Sequence, residues 1–163
     1  MQINNMISSY SGEREKEVRG IFASIFILQN RLQTVFDRAD PHITLKQFML
    51  LVMIRHSPEK QTFTYFGELL GSSRQNIKKL ALSLEKKGFV IIQPSPTDKR
   101  SMTITMTKEA EEYFEKISTL HNLKLENLFN HYSDEEIHLF YSLITRLYNG
   151  LDNDEKDKDE LTY

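Results

Sequence analysis

Within eight positions the chain sets out Ser72, Ser73, Arg74, Gln75, Asn76, Lys78 and Lys79, a run that can donate and accept hydrogen bonds but offers no nucleophile–base pair. Arginine can give two hydrogen bonds to a guanine edge, asparagine and glutamine can pair with adenine, and lysine and serine can hold phosphate oxygens. A second cluster, Asp98, Lys99 and Arg100, follows about twenty residues later. Its arginine suits a narrow minor groove, where negative potential is concentrated. These residue types suit the reading of double-stranded DNA rather than the making or breaking of bonds.

Such residues work only if short elements aim them. Thr62 is placed to cap a helix whose Phe66, Leu69 and Leu70 share one face at helical spacing. Gly67 stands where two helices joined by a tight turn approach most closely, and Gly71 supplies the turn itself. Ser72 with Gln75 has the capping-box spacing for a second helix, with Ile77, Leu80, Ala81 and Leu84 as its buried stripe. Ser73, Arg74, Asn76, Lys78 and Lys79 are then left outward, at the helix end whose dipole favours anions. Phe89 to Gln93 reads as a strand, Pro94 to Arg100 as a turn, and Met102 to Met106 as a returning strand. The hairpin tip is basic.

The order of helix, helix-turn-helix, LEKKGFV and PTDKRSMTITMTKEA resembles the MarR family of winged helix-turn-helix transcriptional regulators over about residues 14 to 150. Ser73-Arg74, Leu84 to Gly88 and Asp98-Lys99-Arg100 carry the resemblance most specifically. It implies that Arg100, with Lys99, enters the minor groove and that Asp98 orients the wing. It also implies a repressor acting on a pseudo-palindrome, and a small aromatic or anionic effector in a crevice for which Phe22, Phe26, Phe48, Arg55 and Tyr65 are candidates. Tyr65-Phe66-Gly67 departs from the family's smaller E-L-A-like residues at this place. The alternative is a MarR-like ligand-binding or protein-interaction module that does not bind DNA specifically; that module should lack the basic residues this chain retains.

Composition agrees with a globular regulator. The 163 residues are 39% hydrophobic and 27% charged, with a formal net charge of −2, which argues against indiscriminate coating of nucleic acid. Charge is segregated. Seven Lys or Arg (74, 78, 79, 86, 87, 99 and 100) stand against Glu85 and Asp98 between 72 and 100, whereas 152 to 160 holds six acids and two lysines. No apolar run is long enough for a membrane span and the start is not that of a secretory signal, so the expected location is cytoplasmic. The absence of cysteine suits a reducing compartment and excludes thiol-based sensing.

The expected architecture is mainly α with a small β-hairpin wing. Residues 1–151 form one MarR-like domain, with the winged helix-turn-helix at 62–106, dimerisation helices at 13–38 and 108–150, and an acidic, disordered tail at 152–163. Val18, Ile21, Phe22, Ile25, Leu28, Leu32, Val35 and Phe36 trace a long stripe that Asp40-Pro41 ends. Thr44 with Gln47 opens the next helix, and Ser133 with Glu136 opens the last, which Gly150 should close. The apolar surface of the terminal helices exceeds what the winged part can cover, so a homodimer through the first and last helices is expected, with reading helices about 34 Å apart.

Other chemistry finds little support. The five histidines have no metal-ligand spacing; the family resemblance alone makes His42 near Asp40 a candidate, and the expectation is no metal and no cofactor. Without a phosphate loop, a nucleophile elbow or an H-E-x-x-H pair, no enzyme is expected.

Overall fold

A computed structural model describes residues 3–57, 60–96 and 98–160, without the side chains of Asn4 and of 152–160. The chain divides into two compact units, Met1–His121 and Asn122–Tyr163.

The first unit begins with a short helix α1 (Ile3–Ser8) and the long α2 (Arg14–Ala39). α2 stops where expected. Asp40 takes an extended backbone before Pro41, and its amide closes the last turn on the Phe36 carbonyl. α3 (Leu45–His56) opens with the full Thr44–Gln47 capping box. Then come strand β1 (Gln61–Thr62), α4 (Phe63–Leu69), α5 (Arg74–Lys86), β2 (Val90–Pro94), β3 (Met102–Met106) and α6 (Lys108–Phe129), whose last turns pass into the second unit.

The three strands form an antiparallel sheet in the order β1-β3-β2, with Ile92 opposite Ile104 and Gln61 also opposite Ile104. β1 was not foreseen. Two residues give no periodicity, and Thr62 also serves as the cap of α4, its hydroxyl accepting the Tyr65 amide at 3.3 Å.

One core joins α3, α4, α5, β2, β3 and α6. Leu50, Leu51, Phe66, Ile77, Ala81 and Leu84 are fully buried, joined by Ile43, Phe63, Val90, Ile104 and Phe114. All but Ile43, which lies in the loop before α3, come from the apolar stripe of their own element, and burying each large apolar side chain is worth roughly 1.5–3 kcal/mol. Leu69 departs from the expected packing face of α4 and is half exposed. The helix ends there and Leu70 takes the inward place.

The second unit consists of the end of α6 and α7 (Asp134–Glu160). The Ser133–Glu136 capping box forms in both directions, at 3.2 and 2.8 Å. Gly150 does not end the helix, which runs on to Glu160, so the expected disordered tail is helical backbone through 160; residues 161–163 lie outside the described part. A mid-helix glycine costs only about 1 kcal/mol, and no proline follows it.

Candidate nucleic-acid interface

Gly67 and Gly71 decide how α5 is presented. A β-carbon on Gly67 would lie 2.6 Å from the Ser72 carbonyl oxygen, and the Ser72 amide donates to the Gly67 carbonyl at 2.8 Å. Gly71 adopts φ +58°, the left-handed conformation that a side chain resists. The helix pair therefore closes as tightly as the spacing of the two glycines implies.

The cap of α5 differs from the expected one. Ser73, not Ser72, accepts the Asn76 amide, at 3.2 Å, and the helix starts at Arg74. Ser72 is already held in the turn against Gly67, which moves the cap one residue on. The Ser73 hydroxyl keeps its own proton to donate outward.

Arg74, Gln75, Asn76, Lys78 and Lys79 are all exposed, while Ile77, Ala81 and Leu84 on the opposite side are fully buried and Leu80 is half-buried. The fully buried stripe fixes the rotation of α5 and so the face that the polar residues present. No acid lies in the first turn, where it would repel phosphate.

Hydrogen bonds stiffen the wing. The Asp98 carboxylate accepts from the Arg100 amide at 2.9 Å and from the Ser101 hydroxyl at 2.6 Å. Those two bonds, the Ser101 bond first, hold its pKa below the usual aspartate range. The Ser101 amide returns to the Asp98 carbonyl and the Ser95 amide donates to the Ser101 carbonyl, so the turn closes on itself with Lys99 and Arg100 exposed. Thr97, within the expected turn, lies outside the described residues. At the wing's base the Glu85 carboxylate accepts the Ile92 amide at 3.0 Å, and Thr107 donates to the Gly88 carbonyl at 2.7 Å while capping α6. Wing and reading helix are thus joined at their shared end.

A winged reading head of this geometry can be compared with known proteins. The model of the MarR family matches residues 43–101, from Ile43 in the loop before α3 to Ser101 in the wing. The winged segment of this chain is of the MarR family. An uncharacterised HTH-type transcriptional regulator of Bacillus subtilis, YkoM, is 25% identical over 124 residues, 76% of this chain and 79% of that protein. Among solved structures, a MarR protein from Peptoclostridium difficile superimposes with a TM-score of 0.74 at 22% identity, covering 82% of this chain and 88% of that one. The S. aureus MepR–DNA complex gives 0.71 at 18% identity, covering 80% and 97%. The winged MarR fold expected from the motif order is therefore the fold observed.

The remaining candidates fall in different places. Phe22 and Phe26 lie on α2, exposed and edge-to-face with each other at 5.0 Å. Phe48 stacks on Phe114 at 5.0 Å, and Tyr65 packs edge-to-face on Phe66, so both support the core. Arg55 lies 4.5 Å from the centroid of the Phe114 ring and pairs with Glu111 and Glu115, leaving it already neutralised. Asp40 is buried and accepts the His42 and Ile43 amides and the Tyr113 hydroxyl, the last at 2.6 Å. Burial, with Asp40 beside it, drives the Tyr113 phenol well above its usual pKa, which keeps the proton it donates. Among the described residues no group of three His, Cys, Asp or Glu could hold a metal ion.

Sequence reasoning missed how Gln47, Ser83 and Lys87 meet. The Gln47 amide donates to the Ser83 hydroxyl at 2.8 Å, and the Lys87 ammonium donates to the Gln47 side-chain oxygen at 3.3 Å and to the His42 carbonyl. Lys87, one of the seven basic residues between 72 and 100, is exposed but tied to Gln47 and His42. Gln47 was legible as a capping residue, but partners 36 and 40 positions away leave no local signal.

Proposed function

We propose that this chain is a cytoplasmic transcriptional regulator that binds double-stranded DNA sequence-specifically as a homodimer on a pseudo-palindromic operator, and that it acts as a repressor. One observation carries the DNA reading: the whole polar edge from Arg74 to Lys79 is exposed on a helix whose other face is fully buried. In this reading Arg74, Gln75 and Asn76 contact bases. Ser72, Ser73, Lys78 and Lys79 hold phosphates or neighbouring bases, and Arg100 with Lys99 occupies the minor groove that Asp98 helps them reach. That the S. aureus MepR structure is of a DNA complex supports the same docking.

The dimer rests on exposed apolar side chains. Val18, Ile21, Phe22 and Phe26 of α2, and Phe140, Leu143, Leu147 and Tyr148 of α7, are each 44–66% exposed. Such a surface needs cover. A second copy supplies the same two faces, and its twofold axis would pair two reading helices across successive major grooves. Repression follows from occupancy, since a dimer seated on a promoter blocks polymerase without any further contact.

A small aromatic or anionic effector fits one place better than the Arg55 crevice. An open groove of about 520 Å³ is lined by Asp40, Pro41, His42, Phe89, Tyr113 and Lys116, among others. Phe89 and Tyr113 stack there at 4.8 Å and Lys116 is not ion-paired among the described residues, so the groove offers a flat apolar wall beside a cation.

DNA fragments enriched from a random pool by the purified chain, then titrated at low and raised salt, test the reading. Affinity should fall steeply with salt, with a slope of about −0.9 per phosphate neutralised, and the enriched duplex should be preferred over a scrambled one. Equal, salt-insensitive binding to both would refute it.

A further inference from the structure

α5 is a rod that must be held at two points to keep one direction. Its start is fixed by the contact between Gly67 and Ser72. Its end is fixed elsewhere, and we infer that Gln47, with Lys87 and Ser83, is the positioning group that sets the angle at which the reading helix meets DNA.

The side-chain amide of Gln47 is buried and has three polar partners. Its oxygen accepts the Thr44 amide at 3.0 Å and the Lys87 ammonium at 3.3 Å, and its nitrogen donates to the Ser83 hydroxyl at 2.8 Å. Lys87 donates again to the His42 carbonyl. The last turn of α5 is thereby tied to the loop before α3 and to the first turn of α3 itself. Asp37 and Asp40 hold that loop in turn, through the Leu45 amide at 2.6 Å and the His42 amide at 2.9 Å. Apolar packing along Ile77, Ala81 and Leu84 tolerates small rotations, whereas a directional amide with three partners tolerates few.

The lever is long. From Ser73 to Lys87 the helix rises about 21 Å, so a rotation of roughly 5° displaces one end by about 1.8 Å relative to the other. Hydrogen bonds to base edges do not survive such an error, while contacts between flexible lysines and phosphates do. Gln47 and Lys87 touch no base in this account. Releasing them should therefore cost discrimination between sequences more than general affinity for DNA.

The inference rests on the DNA reading above, and the test separates the two. Wild type, Gln47→Met, Gln47→Glu and Lys87→Met are titrated with a duplex enriched by the wild-type chain and with a scrambled duplex, at several salt concentrations, with thermal melts in parallel. Gln47→Met keeps length and helix propensity but removes every polar contact of the side chain. It should lose about tenfold or more in the ratio of specific to scrambled affinity, with the salt slope unchanged. Gln47→Glu should recover most of that ratio, because the carboxylate still accepts from Thr44 and Lys87 and the Ser83 hydroxyl can turn to donate. Lys87→Met, at an exposed side chain that the fold can spare, should lower the ratio in the same direction at constant slope. A wild-type ratio in Gln47→Met overturns the inference alone. So does a Lys87→Met variant that keeps the ratio but loses about one unit of slope, the mark of a phosphate contact. Should Gln47→Met fail to fold, the Lys87 pair of readouts decides. A wild-type chain with no preference for any duplex overturns both readings together.

Discussion

α5 and α7 carry the same kind of stripe and meet opposite fates. In α5, Ile77, Ala81 and Leu84 are wholly buried by the chain's own core; in α7, Phe140, Leu143, Leu147 and Tyr148 are 44–66% exposed, and none of the residues from 134 to 151 is buried. Periodicity says which face is apolar. What covers that face depends on whether the same chain supplies the partner, and for α7 we look to a second copy.

The sharpest way to break this contrast is to charge the α7 face. Leu143→Asp with Leu147→Asp should convert a dimer into a monomer and weaken operator binding by at least about 100-fold, since burial of each leucine contributes roughly 1.5–3 kcal/mol and each is used twice. Sedimentation and titration on one sample measure both. A double variant that stays dimeric would show that α7's face is covered otherwise.

The α5 side of the contrast depends on close approach within one chain. Gly67→Ala forces a β-carbon against the Ser72 carbonyl, and urea denaturation should register a loss of about 2 kcal/mol without a change in oligomeric state. An unchanged midpoint would mean that the turn yields.

Much of this organisation was legible beforehand. Gly67, Gly71, the Thr44–Gln47 and Ser133–Glu136 boxes, and the break at Asp40-Pro41 are local rules written in adjacent residues, and each formed as read. The misses share a cause. Ser73 displaced Ser72 as the cap because a contact five residues back had claimed Ser72; Lys87 finds its partner in Gln47, forty positions away. β1 is two residues long and exists through pairing with β3. Gly150 is a residue type that often ends a helix, but nothing after it stops this one.

Smaller effects sharpen the roles within the reading surface. Arg74→Ala should cost about 1–3 kcal/mol at one operator position, while Lys79→Ala should weaken all duplexes alike and lower the salt slope by about one, both measured by anisotropy titration. Equal losses on scrambled DNA for the two would remove Arg74 from base reading.

The wing gives the smallest signal. Asp98 is held below the usual aspartate pKa by Ser101 and the Arg100 amide, so its contribution to wing order is complete above about pH 4 and disappears as pH falls through its lower folded value. The amide resonances of Arg100 and Ser101 should titrate in that acid window. A midpoint at or above the ordinary aspartate value would mean that the carboxylate does not hold the tip.

The central claim is a twofold reader, and the stoichiometry of its complex addresses it directly. Sedimentation equilibrium of the chain with its enriched duplex should give two chains per duplex, even with DNA in excess. One chain per duplex, or no complex at low ionic strength, would contradict the account.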